Sequence, residues 1–131
     1  MNKMKWLFVS LLASVMLSCG TTSTVPITGR KQRLLVSDEQ ILSLSNQQYR
    51  QYMAKAKVST NPTNTAMVKR VGQRLANAVT TYLSANGLGA EVKNYQWEFN
   101  LVQDNAANAF CMPGGKIVVY EGLLPYTKDE A

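Results

Sequence analysis

The sequence predicts an α+β fold in which two amphipathic helices precede a small β-sheet that contains a hairpin. Of its 131 residues, 46% are hydrophobic, which is typical of one globular domain. Apolar residues recur at helical spacing between residues 37 and 86 and then alternate with polar residues, as in half-buried strands. The predicted order is therefore helix, helix, three short strands and the beginning of a further helix.

The N-terminal residues have the pattern of an export signal. Lys3 and Lys5 precede an apolar run over residues 6–17, which ends at Ser18 and Cys19. This run is too short to cross a bilayer core of about 30 Å as a helix. The pattern predicts a lipoprotein signal peptide over residues 1–18 and a lipid on the Cys19 thiol. An ordinary signal peptide and a buried apolar helix are the alternatives.

The signal-peptide assignment determines how the two cysteines are interpreted. If Cys19 carries a lipid, Cys111 has no partner, and its place in a strand predicts a small buried residue. A disulfide between Cys19 and Cys111 is the alternative, which a secretory compartment permits. Residues 19–36 are expected to form a polar tether and an irregular segment, because Pro26 and Gly29 interrupt any periodic pattern.

Two helices are expected to open the domain assigned to residues 37–131. Ser37 and Gln40 have the spacing of a capping box, which predicts the start of the first helix. Asn61 and Pro62 predict the start of the second, which ends near Asn86-Gly87. The two apolar stripes consist of Leu42, Tyr49, Tyr52, Met53 and Ala56, and of Val68, Val71, Leu75, Val79 and Tyr82.

Three strands and a helix start follow. The alternation over residues 95–101 predicts a half-buried strand, and residues 108–112 predict a second extended segment. The sequence Pro-Gly-Gly at 113–115 predicts a tight turn, and the β-branched run 116–120 predicts the most buried strand. Thr127 and Glu130 have capping-box spacing and predict that another helix begins there.

The composition limits the chemistry. The chain has no histidine, which excludes a Ser-His or Cys-His nucleophile pair and a histidine metal site within it. The net charge is +6, and the basic residues concentrate between Gly29 and Arg74. A basic segment near a lipid anchor suits anionic head groups. Nucleic acid is not expected as a partner, because stacking aromatic residues are not interleaved with these charges.

Several segments resemble exported zinc metallopeptidases of peptidase family M48, to which BepA, HtpX and the CAAX prenyl proteases belong. The most specific is the stretch from Asn108 to Leu124, Asn-Ala-Phe-Cys-Met-Pro-Gly-Gly-Lys-Ile-Val-Val-Tyr-Glu-Gly-Leu-Leu. Weaker similarity lies in residues 25–32, 71–76 and 97–101. The resemblance extends over essentially the whole chain after the leader.

The resemblance implies the front part of a metallopeptidase domain, ending just before the helix with the zinc-binding His-Glu-x-x-His motif. It implies zinc for the complete enzyme but no catalytic or metal-binding residue in this chain. Asn108, Ala109 and Phe110 match the strand that borders the substrate cleft in this family. The expected partners are protein or peptide substrates and a membrane, with the domain anchored to the outer membrane and facing the periplasm. A non-enzymatic lipoprotein that acts as a binding or assembly module is the alternative.

Overall fold

The computed structural model of the chain describes residues 21–25 and 28–130. The predicted leader over residues 1–18 and the predicted lipidation residue Cys19 lie outside the described residues. The described part of the chain forms two compact units, which divide between Ser37 and Asp38. Among the described residues, no helix combines the length and the apolar content needed to cross a membrane.

The first unit contains a β-hairpin. Strand β1 (Thr21–Thr24) pairs antiparallel with strand β2 (Lys31–Leu34). In the connection, Val25 N donates to Arg30 O at 2.8 Å, and Gly29 has a φ of 66°. The prediction of an irregular segment is wrong for these residues. Backbone hydrogen bonds hold this hairpin, and its strands lack the apolar alternation by which a strand is recognised in sequence.

The second unit is an α+β fold, which confirms the predicted class. Its elements are helix α1 (Asp38–Lys55), helix α2 (Pro62–Ala85), helix α3 (Gly89–Val92), strand β3 (Glu98–Val102), strand β4 (Ala109–Met112), strand β5 (Lys116–Tyr120), a 3-10 turn (Glu121–Leu123) and helix α4 (Leu124–Thr127). Helix α3 and the 3-10 turn were not predicted, because elements of three or four residues are too short to show a helical period.

Local signals determine both ends of α2. The Asn61 side chain accepts a hydrogen bond from Asn64 N at 3.0 Å, and Pro62 occupies the first turn. At the other end, Gly87 adopts a φ of 74°, a conformation that glycine takes without steric cost. The predicted start and end of this helix are confirmed.

The sheet has the strand order β3–β5–β4, with β3 parallel and β4 antiparallel to the central strand β5. No residue of β5 is exposed, whereas β3 and β4 each contain exposed residues, so the prediction of the most buried strand is confirmed. The predicted first strand began at Tyr95, but β3 begins at Glu98. Its partner strand starts only at Lys116, so within the described residues no strand lies beside residues 95–97, and Gln96 N donates to Gly114 O of the turn at 2.9 Å.

The two long helices lie on opposite faces of the sheet. On the α1 face, Tyr49, Val102 and Val118 form a buried cluster, against which Phe110 and Tyr120 pack. On the α2 face, the helix comes very close to β3. A Cβ added to Gly72 would lie 2.2 Å from Phe99 Cδ1, so only glycine permits this approach.

The C-terminal prediction is wrong. Thr127 ends α4 instead of starting a helix, and its hydroxyl donates to Leu124 O at 3.1 Å. Lys128 has a φ of 61°, which breaks helical geometry. The Glu130 carboxylate pairs with the Arg70 guanidinium of α2 rather than with the Thr127 backbone. A charge-assisted bond to a distant arginine therefore replaces the expected capping box.

Candidate functional site

Strand β4 is an edge strand and carries the motif predicted to border a substrate cleft. Asn108 immediately precedes it, and Ala109 and Phe110 are its first residues. Asn108 and Ala109 are exposed, whereas Phe110 is partly buried against Tyr52 and Tyr120 on the α1 face. The structure thus places the backbone of the motif at the sheet edge and directs its aromatic ring into the core.

The outer edge of β4 presents backbone hydrogen-bonding groups. Tyr120 N donates to Asn108 O at 3.0 Å, which makes these two residues a hydrogen-bonded pair across the strands. Because such pairs alternate along an antiparallel ladder, Ala109 and Cys111 turn their N–H and C=O groups outward. In the described part of the chain, no strand lies beside this edge.

The opposite edge of the sheet is partly covered. The segment after α1 runs beside β3, where Ser59 N donates to Leu101 O at 2.9 Å and Gln103 N donates to Lys57 O at 2.7 Å. These bonds occupy the end of β3 nearest the start of β4. The β4 edge is therefore the more accessible of the two for an added extended peptide.

An apolar groove of about 190 Å³ lies on the α2 face of the sheet. Its walls come from α2, from β3 and β5, and from the residues around α4. The apolar lining consists of Met67, Val68, Val71, Leu75, Phe99, Ile117, Val119, Leu123 and Leu124. Ile117 and Val119 are the register partners of Cys111 and Ala109, so the floor of the groove adjoins the edge strand.

The apolar stripe of α2 continues beyond Leu75, which still lines the groove, to Val79 and Tyr82. Leu75, Val79 and Tyr82 recur at helical spacing and are 54%, 38% and 52% exposed. Single exposed apolar residues are common, but a stripe continuous with an apolar groove marks a contact surface. The second predicted stripe is therefore buried near Val68 and uncovered towards its C-terminal end.

Cys111 is exposed, so the prediction of a buried cysteine is wrong. Successive side chains of a strand point to opposite faces. Phe110 and Met112 pack on the α1 face, which directs Cys111 to the α2 face at the open edge. Partial desolvation still raises the pKa of its thiol above the ordinary value. Cys19, its alternative disulfide partner, lies outside the described residues.

A polar cluster on the α1 face was not recognised in the sequence. The Lys116 ammonium is buried, donates to Gln96 O at 2.7 Å and pairs with Glu98. Glu98 also accepts from Tyr49 Oη at 3.0 Å. The Lys116 hydrogen bond holds the pKa of Glu98 below its usual value, while burial and then Glu98 raise the pKa of Tyr49 to about 12. This cluster joins α1 to the sheet.

The described residues do not fit a zinc ion. Catalytic zinc sites use three protein ligands from histidine, cysteine and carboxylate side chains. The chain has no histidine, and residues 21–25 and 28–130 contain no group of three or more potential ligands. No step of a metal-dependent reaction can be assigned to these residues.

Comparison with known proteins identifies the family. The profile of peptidase family M48 matches residues 62–131, from the start of α2 through the whole sheet and the open edge strand. This match covers more than half of the chain. The chain therefore belongs to peptidase family M48, as its resemblance indicated.

Three curated relatives are metalloendopeptidases. The chain is 29% identical over 134 aligned positions to the mitochondrial metalloendopeptidase OMA1 of Schizosaccharomyces pombe, an alignment that covers 98% of the chain and 36% of that protein. Homo sapiens OMA1 is 28% identical over 79% of the chain and 19% of its own length. Arabidopsis thaliana OMA1 is 40% identical over 36% and 10%, respectively. The chain thus spans about a third or less of these relatives.

Proposed function

We propose that this chain is the N-terminal portion of a membrane-anchored zinc metalloendopeptidase that degrades proteins of the cell envelope. The observation that carries the proposal is the position of the open strand β4 beside the floor of the apolar groove. In a protein of this family, that arrangement suits a platform for a catalytic helix and for an extended substrate.

The groove suits the helix with the His-Glu-x-x-His motif. The sheet has helical cover over β3, where Gly72 meets Phe99, but Ile117 and Val119 of β5 line an open groove. An amphipathic helix placed there would bury this apolar surface at about 25 cal/mol per Å². Such a helix would supply two histidine ligands for zinc, which the described residues lack.

The β4 edge suits the substrate. An extended peptide added beside Ala109 and Cys111 would receive main-chain hydrogen bonds from their outward groups, a mode that recognises backbone conformation more than sequence. The Asn108 side chain is exposed at the start of this edge and would add one directional hydrogen bond. Such loose sequence preference fits an enzyme that removes damaged or misassembled proteins.

The proposed location follows from the leader. Lipidation of Cys19 would anchor the chain to a membrane, and Gly20 after the cysteine favours the outer membrane, with the domain facing the periplasm. The relatives described above are named as mitochondrial proteins. The export pattern of residues 1–19 is the reason for proposing a bacterial envelope for this chain.

A chimera tests the enzymatic proposal. Residues 1–131 would replace the corresponding part of a full-length M48 peptidase, which supplies the catalytic helix and the remaining zinc ligand. We expect endopeptidase activity that a chelator abolishes and zinc restores, whereas the 131-residue chain alone should neither bind zinc tightly nor cleave peptides.

One control variant makes the result decisive. Replacement of the motif glutamate by glutamine in the chimera should abolish cleavage while zinc remains bound, because the general base is lost. A folded, zinc-loaded chimera without activity would contradict the proposal. It would favour the alternative, in which the edge and the groove serve a binding or assembly module.

A further inference from the structure

A second cleft lies on the opposite side of the sheet from the apolar groove and outside the proposed catalytic platform. It has a volume of about 590 Å³ and lies where α1 ends beside the C-terminal ends of β3 and β5. Its lining consists of Tyr52, Lys55, Ala56, Lys57, Val102, Gln103, Asp104 and Tyr120. We refer to it as the basic cleft.

The two lysines of the basic cleft are not neutralised by ion pairs. Lys55 and Lys57 are exposed, and neither takes part in a salt bridge within the described residues. Asp104 is the carboxylate in this lining, and its Oδ1 accepts a hydrogen bond from Ala106 N at 2.9 Å. Lys55 lies in the last turn of α1, where the helix dipole favours a cation. Lys57 lies beyond the end of the helix, so this dipole does not account for its charge.

A pair of tyrosines adds a directed donor to this charge. Tyr52 and Tyr120 are half-buried, and their rings pack against Phe110 at centroid distances of 5.1 Å and 6.2 Å, respectively. Burial and a hydrogen bond with Tyr120 raise the pKa of Tyr52 to about 12, which indicates that the Tyr52 O–H is engaged with Tyr120. Ring packing against Phe110 fixes the position of the Tyr120 hydroxyl, which lines the cleft together with the two lysines.

We propose that the basic cleft binds a phosphate group, with Lys55 and Lys57 as charge partners and the Tyr120 hydroxyl as hydrogen-bond donor. Charge-assisted bonds to phosphate oxygens are the strong class of hydrogen bond, and lysine binds phosphate as a point charge. Two sources share this chemistry, namely a free phosphate compound and the head group of an anionic lipid. Val58, which is 49% exposed next to Lys57, provides an apolar contact suited to a lipid surface.

A phosphate titration tests the site. The full chain carrying Cys19→Ala is titrated with inorganic phosphate, and the backbone amide chemical shifts are measured by NMR at each step. We expect saturable shifts at Lys57, Val58 and Gln103. Lys55→Gln/Lys57→Gln should weaken binding by about tenfold, since each exposed ion pair contributes about a factor of three. Lys55→Arg/Lys57→Arg should retain it. Arg50→Gln/Lys93→Gln is the control, because it removes two exposed charges outside the cleft.

Vesicles distinguish the two sources. The lipid head group is identified if the protein sediments more strongly with phosphatidylglycerol-containing vesicles than with pure phosphatidylcholine vesicles. This difference should be lost in Lys55→Gln/Lys57→Gln and kept in the control. Saturable phosphate shifts without this gain would identify a free phosphate compound. Absence of phosphate shifts at the cleft, or equal weakening in the control variant, would overturn the proposal. Amide spectra of each variant establish that it is folded.

Discussion

Lys116 Nζ lies 2.5 Å from Glu98 Oε1, and the lysine side chain is 3% exposed while the glutamate side chain is 49% exposed. The parallel register of β3 and β5 places these two residues directly opposite each other. A buried ammonium without its carboxylate is costly, so Glu98 makes burial of Lys116 tolerable. Glu98 also accepts a hydrogen bond from Tyr49 of α1 at 3.0 Å, so these three residues together link α1, β3 and β5.

Glu98→Gln should destabilise the chain by about 1–2 kcal/mol at neutral pH, less than for a fully buried pair because Glu98 is half exposed. The folded-state pKa of Glu98 is lowered, so its contribution is present above the unfolded pKa and is lost as pH falls through the folded value. Urea unfolding between about pH 7 and pH 3 should therefore show a shallower acid dependence in the variant. Glu91→Gln, an exposed control, should retain the wild-type dependence.

Gly72→Ala should destabilise the chain by about 1–3 kcal/mol, because the new Cβ would collide with the Phe99 ring and force α2 away from the sheet. Gly89→Ala is a matched control, since its Cβ would meet Ser84 Oγ at an ordinary 3.4 Å. Free energies of unfolding from urea titrations compare the two variants. Equal losses of unfolding free energy in the two variants would mean that the close approach of α2 to β3 does not contribute to the stability of the fold.

Leu75→Gln should have different effects in the isolated chain and in the chimera. Leu75 is 54% exposed, so in the 131-residue chain we expect a change within about 0.5 kcal/mol. In the chimera, the catalytic helix would cover it, and the loss should reach about 1–2 kcal/mol. Leu44→Gln is the control, because Leu44 is 56% exposed on α1 and lies outside the groove. Thermal unfolding that gives the same small effect in both proteins would argue against a helix in the groove.

Asn108→Ala should lower kcat/KM of the chimera about fivefold, which corresponds to the loss of one ordinary hydrogen bond of about 1 kcal/mol. The fold should be unaffected, because Asn108 is exposed and its carbonyl, which Tyr120 N contacts, is retained. Asn105→Ala, an exposed neighbour, should leave kcat/KM unchanged. Full activity of Asn108→Ala would remove this side chain from the proposed substrate site.

Cys19→Ala should move the protein from the membrane to the soluble fraction, because the lipid would no longer be attached. Fractionation of cells that express each form measures this partition, and metabolic labelling with a fatty acid detects the modification. Cys111→Ala should behave like the wild type. Equal membrane partition of the Cys19→Ala and wild-type proteins would contradict the lipoprotein assignment.

Elements governed by neighbouring residues could be predicted from the sequence. Asn61 caps an amide three residues away, and the turn at 113–115 requires positive φ at Gly114 and Gly115, where both have it. The β1–β2 hairpin was missed, because backbone pairing leaves no apolar period to detect. Of the candidate site, the sequence indicated the motif at 108–110 through family resemblance, but it did not reveal that the Phe110 side chain faces the core.

The sequence by itself determined α1, α2 and β5, because local hydrogen bonds and turn geometry depend on residues that lie close together in the chain. It also determined the absence of histidine, which is a matter of composition alone. Only the tertiary structure decided the roles of residues whose partners are remote. Glu130 leaves the expected capping box because Arg70, sixty residues earlier, supplies a charged partner. Lys116 is buried because the β3–β5 register supplies Glu98, and Cys111 is exposed because β4 lies at an edge. Such contacts arise only when the chain brings distant segments together, and local sequence patterns carry no record of them.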